Sequence, residues 1–235
     1  TKFPNVLFIA ADTIRSRGYA QSLLKSGVRI KTSIFIKSKS NSIKTGKSNS
    51  PPIRSKEYIN GIFNPDPQIP LKESLQKLSD NIKVFESETI NCKSIETYLK
   101  NLKPHLIIYS GFGGEIVSSN LIDMGIPFLH LHAGILPSFR GSTTIYYSLL
   151  KTAQCGVSAI LLSSQIDAGD IIKCKKYSPP DDNCNLDYEY DTAIRADLLV
   201  DVMFQYHKNN FEFKSEKQKN NSGETYYVIH PLLKH

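Results

Sequence analysis

Val6-Leu7-Phe8-Ile9-Ala10-Ala11, then the polar stretch Asp12 to Gly18, then Tyr19-Ala20-Gln21-Ser22-Leu23-Leu24-Lys25 and Gly27, open the chain with three different patterns. The first is a short unbroken apolar run, which reads as a buried strand. The third carries Leu23 and Leu24 at helical spacing and stops at a glycine, as helices do. Val28 to Ile36 follows, rich in β-branched residues, and reads as a second strand. Strand, loop, helix and strand in that order start a parallel sheet, and the alternation continues. Pro70 to Leu78 reads as a helix, Ile82 to Phe85 as a strand, and Ser94 to Leu102 as a helix that stops before Pro104. Leu106 to Tyr109 and Pro127 to Leu131 read as strands, Thr143 to Leu150 as a helix and Val157 to Leu162 as a strand. Short apolar strands alternating with amphipathic helices predict an α/β fold, a Rossmann-like, doubly wound and mostly parallel sheet. Residues 1–178 are expected to form this domain. Residues 179–235 are expected to pack on it as an extension, with a small helix around Ala193 to Tyr206 and an extended tail over Glu224 to Ile229.

Hydrophobic residues make up 40% of the 235, enough for one sizeable core and a small appendage but not for two full domains. The first apolar run is stopped by Asp12, well short of the roughly 20 residues a membrane span needs, so a cytoplasmic chain without membrane contact is expected. Cys92, Cys155, Cys174 and Cys184 show no paired spacing, which suggests neither a disulfide framework nor a cysteine metal site. The formal charge of +7 is concentrated between Lys37 and Lys56, where Lys37, Lys39, Lys44, Lys47, Arg54 and Lys56 occur with many serines and no acid. No aromatic residue is interleaved with these cations, so stacking on single-stranded nucleic acid is disfavoured. A solvated loop is the expectation, ahead of a phosphate-binding lid.

Two segments carry chemistry. Ser110, Gly111, Phe112, Gly113 and Gly114 follow a strand and admit two readings: a tight turn, or backbone approaching a flat ligand at the end of the sheet. His130-Leu131-His132-Ala133-Gly134-Ile135-Leu136-Pro137-Ser138-Phe139-Arg140-Gly141 is more specific. On a strand, His130 and His132 share a face. Further on, Ser164-Gln165-Ile166-Asp167-Ala168-Gly169-Asp170-Ile171-Ile172 sets Asp167 on a turn after another strand. If the two strands are adjacent and parallel, their carboxyl ends bring Asp167 to the His132 imidazole.

The block HAGILPSFRG resembles the HPSLLPxxRG signature of the folate-dependent formyltransferases, and QIDAGDII resembles their IDxGxI signature. That family includes methionyl-tRNA formyltransferase, glycinamide ribonucleotide transformylase and the sugar N-formyltransferases. The resemblance extends over LIIYSGFGGEI at 106–116 and covers roughly residues 100–175. It implies a transfer of a formyl group from 10-formyltetrahydrofolate to an amine, with His132 and Asp167 as the catalytic His and Asp. The family's Asn, two residues before the His, is His130 here. An imidazole offers one N–H in one tautomer where an amide offers two, and at its unperturbed value His130 would titrate at about pH 6 to 7. The same resemblance implies a folate site formed by Phe112, Gly113, Gly114, Glu115, Gly134, Ile135, Leu136 and Pro137, and no metal.

GSTTIYYSLL, after the Arg140-Gly141 pair, is similar to the short bacterial formyltransferases that act on nucleotide-linked amino sugars in lipopolysaccharide and other surface-polysaccharide pathways. That implies a nucleotide sugar as the small-molecule partner, bound by Arg140, Ser142 and Thr143, with Arg15 and Arg17 as candidates for its phosphates. Too few residues follow Asp167 for the barrel domain that holds tRNA in methionyl-tRNA formyltransferase. Other amines, tRNA-linked, peptidyl or in a purine precursor, are the alternative acceptors. A homodimer is left open. The rival classes are a zinc hydrolase built on His130, His132 and Asp167, and a noncatalytic folate or nucleic-acid binding protein.

Overall fold

Phe8 and Ala10 face one side of the first strand and Leu7 and Ile9 the other, and all four are fully buried. A strand apolar on both faces belongs inside a sheet covered on both sides. The computed structural model, which describes residues 1–39, 51–181, 184–218 and 223–234, has this arrangement. β1 (Lys2–Ala11) pairs in parallel with β2 (Arg29–Lys37) on one side. The intervening helix α1 (Ile14–Lys25) starts at Thr13, whose side chain accepts from the Ser16 N–H at 3.1 Å. That cap satisfies one of the orphan N–H groups of the first turn.

After the short hairpin β3 (Tyr58–Ile59) and β4 (Ile62–Phe63) come α2 (Leu71–Leu78), β5 (Ser79–Glu86), α3 (Lys93–Leu102), β6 (Leu106–Ser110), α4 (Ser119–Ile122) and β7 (Phe128–His132). Then follow β8 (Phe139–Gly141), α5 (Thr144–Thr152), β9 (Cys155–Leu161), β10 (Ile171–Tyr177), α6 (Asp191–Lys208) and β11 (Glu224–Tyr226). The central sheet has seven strands in the order β10-β9-β7-β6-β1-β2-β5. Tyr19, Leu23, Leu75, Leu199 and Val202 from α1, α2 and α6 pack on one face, and Ile95, Leu99 and Leu121 from α3 and α4 on the other. The chain therefore has the doubly wound α/β fold that the alternation predicts.

Two expectations change. β9 runs antiparallel to β7, with Leu129 opposite Leu161 and His132 opposite Ser158, so parallel neighbours do not bring Asp167 to His132. Asp167 instead reaches the histidine from the turn that reverses β9 into the antiparallel β10. The extended tail is also shorter than expected: β11 ends at Tyr226 and pairs in parallel with β8, apart from the main sheet. Lys44 and Lys47 of the basic stretch lie outside the described residues. Of its described part, Lys56 pairs with Asp181 at 3.2 Å and Arg54 donates to the Asn64 carbonyl.

Candidate active site

The strand order reverses between β1 and β6, and open α/β sheets bind ligands in the crevice beyond the carboxyl ends of such strands. Arg15, in the first turn of α1, closes this crevice by donating through Nη2 to the Gly111 carbonyl at 2.8 Å and through Nε to Ser110 Oγ at 3.4 Å. Beyond Ile108, paired with Leu129, β6 and β7 part, and His130 and His132 stand at the end of β7.

His132 is buried, and both of its ring nitrogens face acceptors. Nε2 lies 2.6 Å from the Phe139 carbonyl and Nδ1 3.4 Å from Asp167 Oδ1. Burial lowers the His132 pKa, outweighing the opposite pull of Asp167 and the Phe139 carbonyl. A neutral imidazole has a single N–H, and the shorter contact assigns it to Nε2. Nδ1 then faces the carboxylate bare, in keeping with the longer separation. Asp167 adopts a left-handed backbone (φ 51°), a conformation for which Asp is better suited than most residues. Its Oδ2 accepts the Gly141 N–H at 2.8 Å. Gly134 passes beneath the imidazole so closely that a Cβ there would meet the Phe139 carbonyl at 2.8 Å and His132 Nε2 at 3.0 Å.

His130 faces a cavity of about 90 Å³ whose walls include Tyr109, Glu115, Ile166 and Asp167. Burial first, then the positive charges of Arg15 and Arg195, holds its pKa well below the usual histidine value. The expected titration at about pH 6 to 7 is therefore moved downward, because the fold disfavours the charged form of His130. Its Nδ1 is buried with no hydrogen-bond partner among the described residues. The orphaned nitrogen fits a ligand that supplies one polar atom at this wall.

The residues assigned to the folate do not gather in one place. Glu115 lines the cavity, but its carboxylate accepts from the Ile90 N–H, the Phe112 N–H and the Tyr109 hydroxyl, while Gly113 and Gly114 lie exposed. Ile135 lines a separate groove with Ser148, Gly156 and Lys176. Gly134 and Leu136 are bonded through their backbones to the buried Ser158 hydroxyl, and Pro137 follows a cis peptide bond. The substrate candidates also divide. Arg17 is buried and braced by Asp12 at 3.0 Å and the Pro67 carbonyl at 2.8 Å, so its guanidinium is already engaged by the fold. Ser142 and Thr143 bond to the tail: the Ser142 N–H donates to the Tyr226 carbonyl, and Thr143 Oγ1 accepts from the Ile229 N–H. Arg140 donates to Gln218 at 2.8 Å.

Arg195 and Gln218 are absent from the sequence reading. Arg195 donates to the Leu131 carbonyl at 2.6 Å and pairs with Asp191 at 3.0 Å, and Asp191 with Tyr19 raises its pKa against the opposing effect of burial. Its only signal in the sequence is an acid four residues earlier, which any solvated helix face can show. Among the described residues no three His, Cys, Asp or Glu side chains gather as a metal site, and no helix is long and apolar enough to cross a membrane.

Residues 32–183, more than half the chain, match the family model described as formyl transferase. The chain belongs to the formyl transferase family. Among the curated relatives of this formyl transferase is the methionyl-tRNA formyltransferase of Finegoldia magna, 30% identical over 146 residues, which are 60% of this chain and 46% of that protein. The chain thus spans less than half the length of the curated relatives it matches. Among solved structures, a sugar N-formyltransferase from a Shewanella species superposes with a TM-score of 0.59 at 15% identity, covering 95% of this chain and 76% of that one. A sugar 3N-formyl transferase solved in the presence of dTDP and 5-N-formyl-THF gives 0.53 at 16% identity, covering 95% and 69%. At these identities the likeness is one of fold.

Proposed function

We propose that this formyl transferase moves a formyl group from 10-formyltetrahydrofolate to the amine of a nucleotide-linked amino sugar. The observation that carries the reading is the His132 imidazole facing the Asp167 carboxylate, beside a cavity walled by His130 with its unpartnered Nδ1. The folate supplies the activated formyl carbon. The acceptor amine attacks that carbon, negative charge develops on the formyl oxygen, and N–H donors held near it lower the barrier. His130, kept neutral, supplies one donor. His132 supplies a second when its Nε2–H turns from the Phe139 carbonyl to the formyl oxygen. Asp167, directly or through water, takes the proton that the amine loses as the new C–N bond forms. The bond from the formyl carbon to folate nitrogen then breaks, and tetrahydrofolate leaves with a proton.

The sugar acceptor rests on the resemblance of residues 141–150, and Arg15, half-buried at the crevice, is the candidate for a phosphate, which would compete with its bonds to Ser110 and Gly111. The test is incubation of the protein with 10-formyltetrahydrofolate and a panel of nucleotide-linked amino sugars, read as the mass gain of one formyl group. Modification of a tRNA-linked or purine-precursor amine, with every sugar untouched, would overturn the choice of acceptor. Turnover is expected to survive dialysis against a chelator. Complete loss restored by zinc would contradict the roles given to His132 and Asp167.

A further inference from the structure

We propose that Gln218, in the segment between α6 and β11, is a positioning residue of the active site that sets Asp167 against His132. This inference rests on the formyl-transfer reading only for its kinetic readout. Glu216 and Ile171 exchange N–H to carbonyl bonds at 2.8 Å in both directions, which pins this segment to the start of β10. Two residues on, the Gln218 amide sits against the catalytic turn. Its Nε2 donates to the Asp167 and Gly169 carbonyls, each at 2.8 Å, and its Oε1 accepts from Arg140 Nη2 at 2.8 Å. Both faces of the amide are used, and no other side chain bridges these groups among the described residues.

The geometry closes a ring. Arg140 and Gly141 are neighbours in β8; Gly141 donates its N–H to Asp167 Oδ2, and Gln218 ties the Asp167 carbonyl back to Arg140. A left-handed residue in a turn is held only as firmly as its surroundings determine it. Here both its carboxylate and its carbonyl are held, the first by β8 and the second by Gln218. An amide suits the position because the turn presents carbonyl oxygens and Arg140 presents N–H groups. A carboxylate of the same length could accept from Arg140 but would face the two carbonyls without a proton to give.

The test uses the full chain with 15N-labelled histidine, following the His132 titration by NMR alongside steady-state kinetics. In Gln218→Ala the raising influence of Asp167 on His132 weakens, so the His132 midpoint moves down. Turnover falls on the order of tenfold, while KM for the folate changes by less than about twofold. Gln218→Glu, which keeps the side-chain volume, shows the same loss at neutral pH. It recovers part of the rate as the pH falls and the introduced acid gains a proton to donate. An unmoved His132 midpoint in both variants overturns the proposal, whatever the melting temperatures do. If the wild-type chain formylates no amine, the functional reading fails and the histidine titration alone decides on Gln218.

Discussion

At the residue scale, His130 is a histidine whose charged form the fold disfavours. Burial and the guanidinium groups of Arg15 and Arg195 oppose its protonation together. The pH profiles of wild type and His130→Asn should therefore be parallel between about pH 6 and 7, and a separate inflection in the wild type would contradict a neutral His130. Removal of a single oxyanion donor typically costs on the order of a hundredfold in turnover. His130→Ala should lose about that much, with His130→Asn retaining a large part of the rate. Asp167 offers a cleaner separation of chemistry from folding, because Asn shares its tolerance of the left-handed backbone. Asp167→Asn should melt within a few degrees of wild type yet lose between about a hundredfold and ten-thousandfold in turnover. A melting temperature far below wild type would show that the carboxylate holds the turn itself.

At the element scale, α1 and α6 are joined through Gly18, where a Cβ would run into the Thr192 methyl group. Gly18→Ala is expected to destabilise the fold by about 1–3 kcal/mol in a denaturant titration, the usual cost of overpacking a full core. Adding Thr192→Ala should return part of it; full stability in the single variant would refute the contact. The elements legible in the sequence are the ones with uninterrupted patterns: β1, β6, β7, α3 and α6 lie within a few residues of their expected ends. β9 was legible as a strand but not in direction, since Cys155–Leu161 is buried nearly throughout and an apolar run has no polarity to read. β10 was missed because Lys173, Lys175 and Lys176 break the apolar run, although the first two are half-buried and reach carboxylates of α6. At the site, His130, His132 and Asp167 were legible from their spacing and their family resemblance. Arg195 and Gln218 come from distant segments whose local sequence looks like ordinary surface.

At the scale of the whole molecule, the buried histidines tie stability to pH. His130 and His132 both have folded-state pKa values below the unfolded value near 6.5, so the unfolded chain binds more protons as the solution acidifies. Stability should hold above about pH 6.5 and fall progressively below it. Urea midpoints measured at pH 7.5 and 5.5 test this, and the fall should be smaller in His130→Asn. The outermost strand has a different consequence. β10 ends the seven-stranded sheet, and a bare edge strand is a template on which another chain can add. At its start β10 is already paired, since Ile171 exchanges backbone bonds with Glu216, and three lysines follow. Lys173 and Lys175 are drawn 2.6 and 2.7 Å from Asp201 and Asp197 of α6, and Lys176 is exposed. A strand added by a second molecule would lie against an edge whose exposed side chains include the Lys176 ammonium. The same lysines that hide β10 in the sequence thus put cationic side chains on an edge strand, a composition that disfavours edge-to-edge pairing.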